Sequence, residues 1–296
     1  MAQRKPFTFK EFREQFATEE ACKEFLYEHR FPDGFVCPHC GGTKCSFIRT
    51  RWLYQCSSCR KQISMTSGTV MHRTHIPLTS WFWAMYLCAT DKRGISAVQL
   101  QKTLDICYES AWYLLVRIRS AMGQRDQKYL LSDIVEMDDA YVGGPTHDGK
   151  RGRGTDQSPI AVAHSKSEAG KPRFLRIGTL ENLKHQSLQE FVDQNIVQDS
   201  TIECDGFSSY KCLKNCVLKA KTYCAADDDL KWVHIAISNL KAFLSGTYHG
   251  RATILQPYFD EFCFRYNRRW FPSQLFSRLV AAVATSCTLL SYTRKR

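Results

Sequence analysis

Apolar residues recur at two different spacings along this chain, and the change from one to the other falls near residue 130. Between residues 77 and 122 they stand three and four apart, the spacing of a helix face. Pro77-Leu78-Thr79-Ser80 opens a helix rich in Trp and Leu, and Lys92-Arg93-Gly94 breaks it. Two further helices follow, near Ser96–Leu104 and Tyr108–Met122. From Ile134 the pattern shortens to runs and alternations that fit strands: Ile134–Asp138, Pro159–His164, Arg173–Thr179, Ser200–Asp205 and Val217–Cys224. Helices are expected at Ser187–Ile196 and Trp232–Leu244, then near Ile254–Arg269 and Ser273–Tyr292. At the other end, residues 8–30 read as two short helices, with Thr18 as the N-cap ahead of Glu19 and Glu20.

The expected fold class is therefore α/β, with antiparallel strands first and helices later in a mixed-sheet domain over residues 134–250. Ahead of it come N-terminal helices (1–36), a small ribbon (37–70) and a helical region (77–122). C-terminal helices (251–296) follow it.

Charge changes the picture. Lys and Arg number 41 against 29 Asp and Glu, a formal net charge of +12, which favours a polyanionic partner. Met1 to Phe7 contain no apolar core of a secretory signal, and Leu279–Leu290 is too short to span a bilayer, so no membrane partner is expected. Of 14 Cys, ten lack any framework spacing, as expected of reduced thiols in the cytoplasm.

The other four do have a spacing. Cys37-Pro38-His39-Cys40, then fifteen residues, then Cys56-Ser57-Ser58-Cys59 forms two C-x2-C knuckles that can converge on one tetrahedral zinc. Four thiolates leave no open coordination position, so a single structural zinc is expected, standing in for a core in a segment too small to have one. Gly41-Gly42 supplies the turn behind the first knuckle, and Phe47–Gln55 has hairpin character. His39 and Cys45 fall outside the paired spacing. Arg49, Arg51, Arg60 and Lys61 crowd the ribbon, either as DNA-backbone contacts or as a solvated basic surface.

Gly94 to Met122 fits a helix-turn-helix, whose second helix would enter the major groove. Ala111, Leu114, Leu115 and Ile118 would face inward, and Glu109, Ser110, Tyr113 and Arg117 outward, with Tyr113 and Arg117 as DNA contacts. A plain three-helix bundle has the same periodicity, and Trp81, Trp83 and Trp112 read as core.

Two strands end on acids: Val135-Glu136-Met137-Asp138-Asp139 and Ile202-Glu203-Cys204-Asp205. An acid there costs desolvation energy unless something positive sits beside it, and a divalent metal is a natural partner. Two Mg²⁺ ions about 4 Å apart can activate an attacking oxygen and stabilise a leaving one on a phosphodiester. Two ordinary strand-end acids in turns would look the same. Because side chains two apart on a strand share a face, Glu136 projects with Asp138 and Glu203 with Asp205. Either Glu could supply metal-site charge, or both could pair with Lys or Arg.

A family resemblance follows from the order of several stretches. The four-cysteine ribbon precedes Glu136-Met137-Asp138-Asp139-Ala140-Tyr141-Val142-Gly143-Gly144, Gly152-Arg153-Gly154 and Asp205-Gly206-Phe207-Ser208-Ser209-Tyr210. Ser238-Asn239-Leu240-Lys241, Gly246-Thr247-Tyr248-His249-Gly250, Asp260-Glu261-Phe262 and Asn267-Arg268-Arg269 complete the series. Together, over roughly residues 18–290, they resemble the bacterial insertion-sequence transposases with an N-terminal zinc ribbon, related to the Merlin group of DNA transposons.

The resemblance implies a ribonuclease H-like catalytic domain with two Asp and a third polar ligand. Asp138 and Asp205 match the first two positions, with Asp139 as fallback for the first, and Asn239 matches the third, 34 residues after Asp205. Many such enzymes have Glu at the third position; an Asn oxygen can ligate Mg²⁺ but brings no charge. The implied activity is binding of terminal inverted repeats, metal-dependent hydrolysis of a phosphodiester at each end, and strand transfer, with two Mg²⁺ or Mn²⁺ ions. The implied partners are double-stranded DNA, both element ends and target, and further copies of the chain in a dimer or larger assembly. The implied setting is the bacterial cytoplasm, acting at the nucleoid. Lys241, beside Asn239, and Lys150, Arg151 and Arg153 in the basic loop are expected DNA contacts, and His234 could order water or phosphate. Arg265, Arg268 and Arg269 would extend the basic surface. The alternative is a catalytically inactive DNA-binding protein derived from such an enzyme, which neutral Asn239 favours.

Overall fold

The computed structural model describes residues 7–143, 157–221, 229–248 and 254–287, and the chain divides into two units, 1–125 with 271–296 and 126–270.

In the first unit, α1 (Phe9–Gln15) and α2 (Glu19–Arg30) start where Thr8 and Thr18 accept from Glu11 N and Ala21 N, each at 3.2 Å. Each hydroxyl satisfies a backbone donor that the helix itself leaves unpaired. The ribbon follows as three antiparallel strands, β1 (Cys45–Ile48), β2 (Leu53–Cys56) and β3 (Gln62–Ile63). Then come α3 (Leu78–Thr90), α4 (Ala97–Leu104) and α5 (Tyr108–Asp126), close to the expected bounds.

The end of the chain returns to this unit. Phe276 of α9 (Leu275–Thr285) lies 5.3 Å from the Phe16 ring and 6.1 Å from that of Phe82, and Ser286 O accepts from Val70 N. Burying such rings contributes about 1.5–3 kcal/mol each, which ties α9 to α2 and α3. The preceding helix, α8 (Gln256–Tyr266), belongs to the second unit. The two C-terminal helices, grouped by sequence as one segment, therefore serve different cores. Among the described residues, no helix is long and apolar enough to cross a membrane.

The second unit is built on β4 (Ile134–Val142), β5 (Ser158–Lys166), β6 (Pro172–Thr179), β7 (Thr201–Cys204) and β8 (Val217–Ala220), in the spatial order β6-β5-β4-β7-β8. The first three strands pair antiparallel, β7 lies parallel to β4, and β8 lies parallel to β7. Three antiparallel strands extended by parallel ones beside the first is the mixed sheet expected of a ribonuclease H-like domain. Strand alternation then sorts the two faces. Val135, Met137, Ile202 and Cys204 pack with α6 (His185–Asn195) on one side. Ala140, Val142, Ile160 and Val162 pack with α7 (Lys231–Thr247) and α8 on the other.

Among the described residues, the outer edge of β6 is closed by side chains and not by another strand. Asn267 Oδ1 accepts from Leu175 N at 2.7 Å and its Nδ2 donates to Leu175 O, while Gln256 bonds Thr179 N and Ile177 O. Arg269 donates to the carbonyls of Arg173 and Pro172. An open edge would invite pairing with another chain, and these bonds occupy it.

Candidate active site and metal centre

In the ribbon, the four Sγ atoms of Cys37, Cys40, Cys56 and Cys59 all lie within 4.8 Å of one another, with Cys37–Cys59 at 3.7 Å and Cys40–Cys56 at 3.6 Å. A tetrahedron with zinc–sulfur bonds of about 2.3 Å has edges of about 3.8 Å, so the donor set fits zinc. The local backbone explains the convergence. Gly41 turns in the left-handed region (φ +73°) and Gly42 O accepts from Cys37 N. A Cβ on Gly42 would come within 2.9 Å of Ser58 Oγ and 3.3 Å of Cys56 Sγ, so a larger residue would have to push Ser58 aside and crowd a zinc-ligand sulfur. His39 and Cys45 stay outside the cluster.

In the second unit, β4 and β7 run side by side with Glu136 opposite Glu203. Continuing that register, Asp138 and Asp205 are neighbours on the α7 face, Asp205 just past the end of β7 and Asp138 in the middle of β4, which runs on to Val142 and does not end at Asp138 as expected. Asp138 Oδ1 accepts from Asp139 N at 2.9 Å, and Asp138 Oδ2 lies 3.2 Å from His234 Nε2 on α7. Asp205 Oδ1 accepts from Phe207 N. Burial, then the charges of Asp139 and Asp205, push the Asp138 carboxyl up to about 6, against the pull of His234. Among the described residues, neither Asp138 nor Asp205 has a Lys or Arg partner. Two crowded hard-oxygen donors without a Lys or Arg partner among the described residues suit a divalent metal.

The pair two residues earlier is different. Lys166 Nζ, at the end of β5, lies 2.9 Å from Glu136 Oε1 and 2.6 Å from Glu203 Oε2. Glu136 Oε2 is also taken, by Trp232 N at 2.8 Å and Val233 N at 3.0 Å. Glu136 and Glu203 thus share one internal ammonium, and of the two expectations for these acids it is pairing with Lys that the contacts match. Asp139, the fallback ligand, projects to the opposite face, where the buried Tyr210 hydroxyl donates to its Oδ1 at 3.2 Å.

Asn239 lies on α7, the helix that brings His234 to Asp138, but its side chain is exposed and forms no hydrogen bond with a described residue. The structure thus brings Asp138 and Asp205 together, and places Asn239 on the adjoining helix without direct contact. Lys241, Arg51 and Arg60 are exposed. Lys150, Arg151 and Arg153 lie outside the described residues, as does His249.

Tyr113 and Arg117, expected to face outward, are half-buried. Arg117 donates to Val70 O and stacks 4.3 Å over the Tyr113 ring, which meets Trp81 edge-on. Past Glu109, no residue of α5 is exposed, because Ala111, Leu114, Leu115 and Ile118 are joined by a second buried flank at Arg119–Met122. Arg265, Arg268 and Arg269 are likewise occupied within the fold: Arg265 bonds Glu261, Arg268 bonds buried Asp126 at 2.7 Å, and Arg269 bonds the β6 edge.

Sequence reasoning missed Lys166, which ends a strand like any surface Lys, and the role of Tyr210, although Tyr210 closes a quoted stretch. It also missed the capping of α7 by Glu136, since the contact joins positions 96 and 97 residues apart.

Two family models match. Residues 17–62 match a transposase zinc-ribbon domain, and residues 130–267 match the ISXO2-like transposase domain, together more than half of the chain. The chain carries an ISXO2-like transposase domain behind a transposase zinc-ribbon domain. The first match holds all four ribbon cysteines, and the second holds Asp138, Asp205 and Asn239. An uncharacterised protein in transposable element ISH50 of Halobacterium salinarum is 26% identical over 145 residues, which are 48% of this chain and 47% of that protein. The chain thus spans about half the length of the curated relative it matches. A solved pre-cleavage Mos1 transpososome aligns over 70% of this transposase and 80% of its own chain, at 12% identity and a TM-score of 0.29. A Mos1 strand transfer complex aligns over 70% and 78%, at 10% identity and 0.27. At those scores the fold assignment rests on strand order and the family match.

Proposed function

We propose that this transposase binds the terminal inverted repeats of its own element and breaks a phosphodiester at each end, after which the freed 3′-hydroxyl attacks target DNA. The observation that carries the proposal is the Asp138–Asp205 pair, adjacent on β4 and just past the end of β7 and without a Lys or Arg partner among the described residues, above a Glu136–Glu203 pair that Lys166 bridges.

In this proposal Asp138 and Asp205 hold Mg²⁺ or Mn²⁺, and the amide oxygen of Asn239 adds a neutral ligand. Bound there, the metal supplies Lewis-acid activation of oxygen and charge stabilisation in phosphoryl transfer. His234 fixes the Asp138 carboxylate through its Oδ2. Tyr210 keeps Asp139 on the opposite face and out of competition. The remaining contribution is alignment of the DNA oxygens, with no covalent enzyme intermediate. The ribbon zinc is structural, and exposed Arg51, Arg60 and Lys241 contact the DNA backbone. Two ends must be held together, so the protein acts as a dimer or larger assembly on double-stranded DNA in the cytoplasm.

A supercoiled plasmid carrying the repeats that bracket the gene tests this with Mg²⁺ or Mn²⁺. Nicking at the ends by wild-type protein, absent in Asp138→Asn and Asp205→Asn, is expected. The amide of Asn239, exposed and without a hydrogen bond among the described residues, favours a second reading, an inactive DNA-binding derivative, and binding of the ends without nicking in either metal would establish it.

A further inference from the structure

Helix α7 is not capped by its own N-cap residue. That position is Leu230, in the left-handed region at φ +56°, whose side chain makes no capping bond. A helix leaves its first N–H groups unpaired, and leaving them buried and bare is costly. Here the acceptor comes from the sheet. Glu136, on β4 and 2% exposed, receives both Trp232 N and Val233 N on one carboxylate oxygen. Its other oxygen accepts from Lys166 Nζ, which also holds Glu203 on β7. The carboxylate is thus pinned from both sides, and its charge suits the positive end of the helix. The Trp232 indole adds a second anchor, donating to Gly170 O at 2.9 Å.

This contact joins two parts of the candidate site. Glu136 stands two residues before Asp138 on the same face of β4, and the helix it caps carries His234, which touches Asp138, and Asn239. Asn239 lies seven residues beyond Trp232, a rise of about 10 Å at 1.5 Å per residue, so a tilt at the capped end is carried along to the amide. Misplacement of a reacting group by about 1 Å can cost on the order of 100-fold in rate.

We infer that Glu136 is a positioning residue for the transposition reaction: by capping α7 from β4 it sets where His234 and Asn239 stand relative to the Asp138–Asp205 pair. The inference rests on the catalytic reading above. Glu136 itself takes no metal, because both of its oxygens are occupied by the Lys166 ammonium and the two amides.

The test uses the full chain with its ribbon zinc and three variants, Glu136→Ala, Glu136→Asp and Glu136→Gln. Three quantities are read: hydrogen exchange at the Trp232 and Val233 amides, Mn²⁺ affinity of the free protein by electron paramagnetic resonance, and end cleavage split into kcat and KM for DNA. In Glu136→Ala, exchange at those amides rises about tenfold or more. Mn²⁺ affinity falls about 10-fold or more, as for other groups that orient metal ligands. Cleavage is lost in kcat, with KM for DNA little changed. Glu136→Gln keeps an acceptor oxygen for the amides but turns its NH2 toward Lys166 Nζ, so it falls between wild type and Ala in all three. Glu136→Asp, one methylene short, shifts in the same direction as Ala and carries the test if Ala does not fold.

Faster exchange with unchanged Mn²⁺ affinity and kcat would overturn the inference, as would a Gln variant as damaged as Ala. Asp138→Asn serves as the control. If it leaves Mn²⁺ binding intact, the catalytic reading fails and the positioning role fails with it, while the exchange result still reports the capping contact separately.

Discussion

His234 Nε2 on α7 stands 3.2 Å from Asp138 Oδ2 on β4, so the helix meets the sheet at the first candidate metal ligand. Asp138 is crowded, chiefly by burial and then by its acidic neighbours, and its carboxyl is raised from 3.8 to about 6. A carboxyl raised in this way favours folding most when protonated. Its contribution is complete below about pH 4 and is lost as pH rises through about 6. Asp138→Asn should therefore stabilise metal-free protein at pH 7 by about 2–3 kcal/mol at most, and by little at pH 4. Urea unfolding at the two pH values checks this. Mg²⁺ or Mn²⁺ should stabilise the wild type at pH 7 and leave the variant unmoved.

The Glu136–Lys166–Glu203 cluster predicts a different outcome at the second strand pair. Glu203→Gln should leave the metal dependence of cleavage unchanged, because Glu203 is bonded to Lys166 and not offered to a cation. Lys166→Met should lower stability at neutral pH by about 3–5 kcal/mol, the cost of stranding buried charge. Metal titration of cleavage and urea unfolding measure the two effects. A shifted metal optimum in Glu203→Gln would restore that residue to the metal site.

Asn267 links the sheet edge to a buried ion cluster. Its amide bonds Leu175 N and O and donates to Asp126 Oδ2, which lies 3.5 Å from Arg176 Nη1. Asn267→Ala should cost about 2–4 kcal/mol, from lost bonds and an under-satisfied carboxylate. It should also raise aggregation, by opening the β6 edge. Chemical denaturation and light scattering on the same sample separate the two effects.

Within the first unit, arginines should sort by where they point. Arg51→Ala and Arg60→Ala should each weaken DNA binding and lower the salt dependence by about one phosphate contact. Arg117→Ala should instead lower stability by about 1–3 kcal/mol, through loss of its bond to Val70 O and its stack on Tyr113. Binding isotherms at several salt concentrations distinguish the classes, and an unchanged salt slope in both ribbon variants would remove the ribbon from the DNA interface.

The ribbon should depend on its metal. Cys40→Ser or a strong chelator should release one zinc per chain and abolish exchange protection at Gly41 N and Arg60 N, which bond Cys37 O and Cys56 O in the folded ribbon. Atomic emission and hydrogen exchange provide the readout. Protection that survives complete zinc loss would show a ribbon held by other forces.

Much of this protein was legible in its order of residues, for local reasons. Helix starts at Thr8 and Thr18, the knuckles at Cys37 and Cys56, and the alternation in β4 and β7 depend on neighbours a few positions away. That alternation alone set Asp138 and Asp205 on one face with Glu136 and Glu203, and Asp139 on the other. Only tertiary structure decided which acids pair with a Lys, because Lys166 reaches Glu136 from 30 residues away and Glu203 from 37. It also turned Tyr113 and Arg117 inward, sent α9 to a different core from α8, and gave α7 its cap from β4. Periodicity reports which face of an element is apolar, but whether a polar face meets water or a buried partner depends on what packs over it, and that is a property of the folded chain.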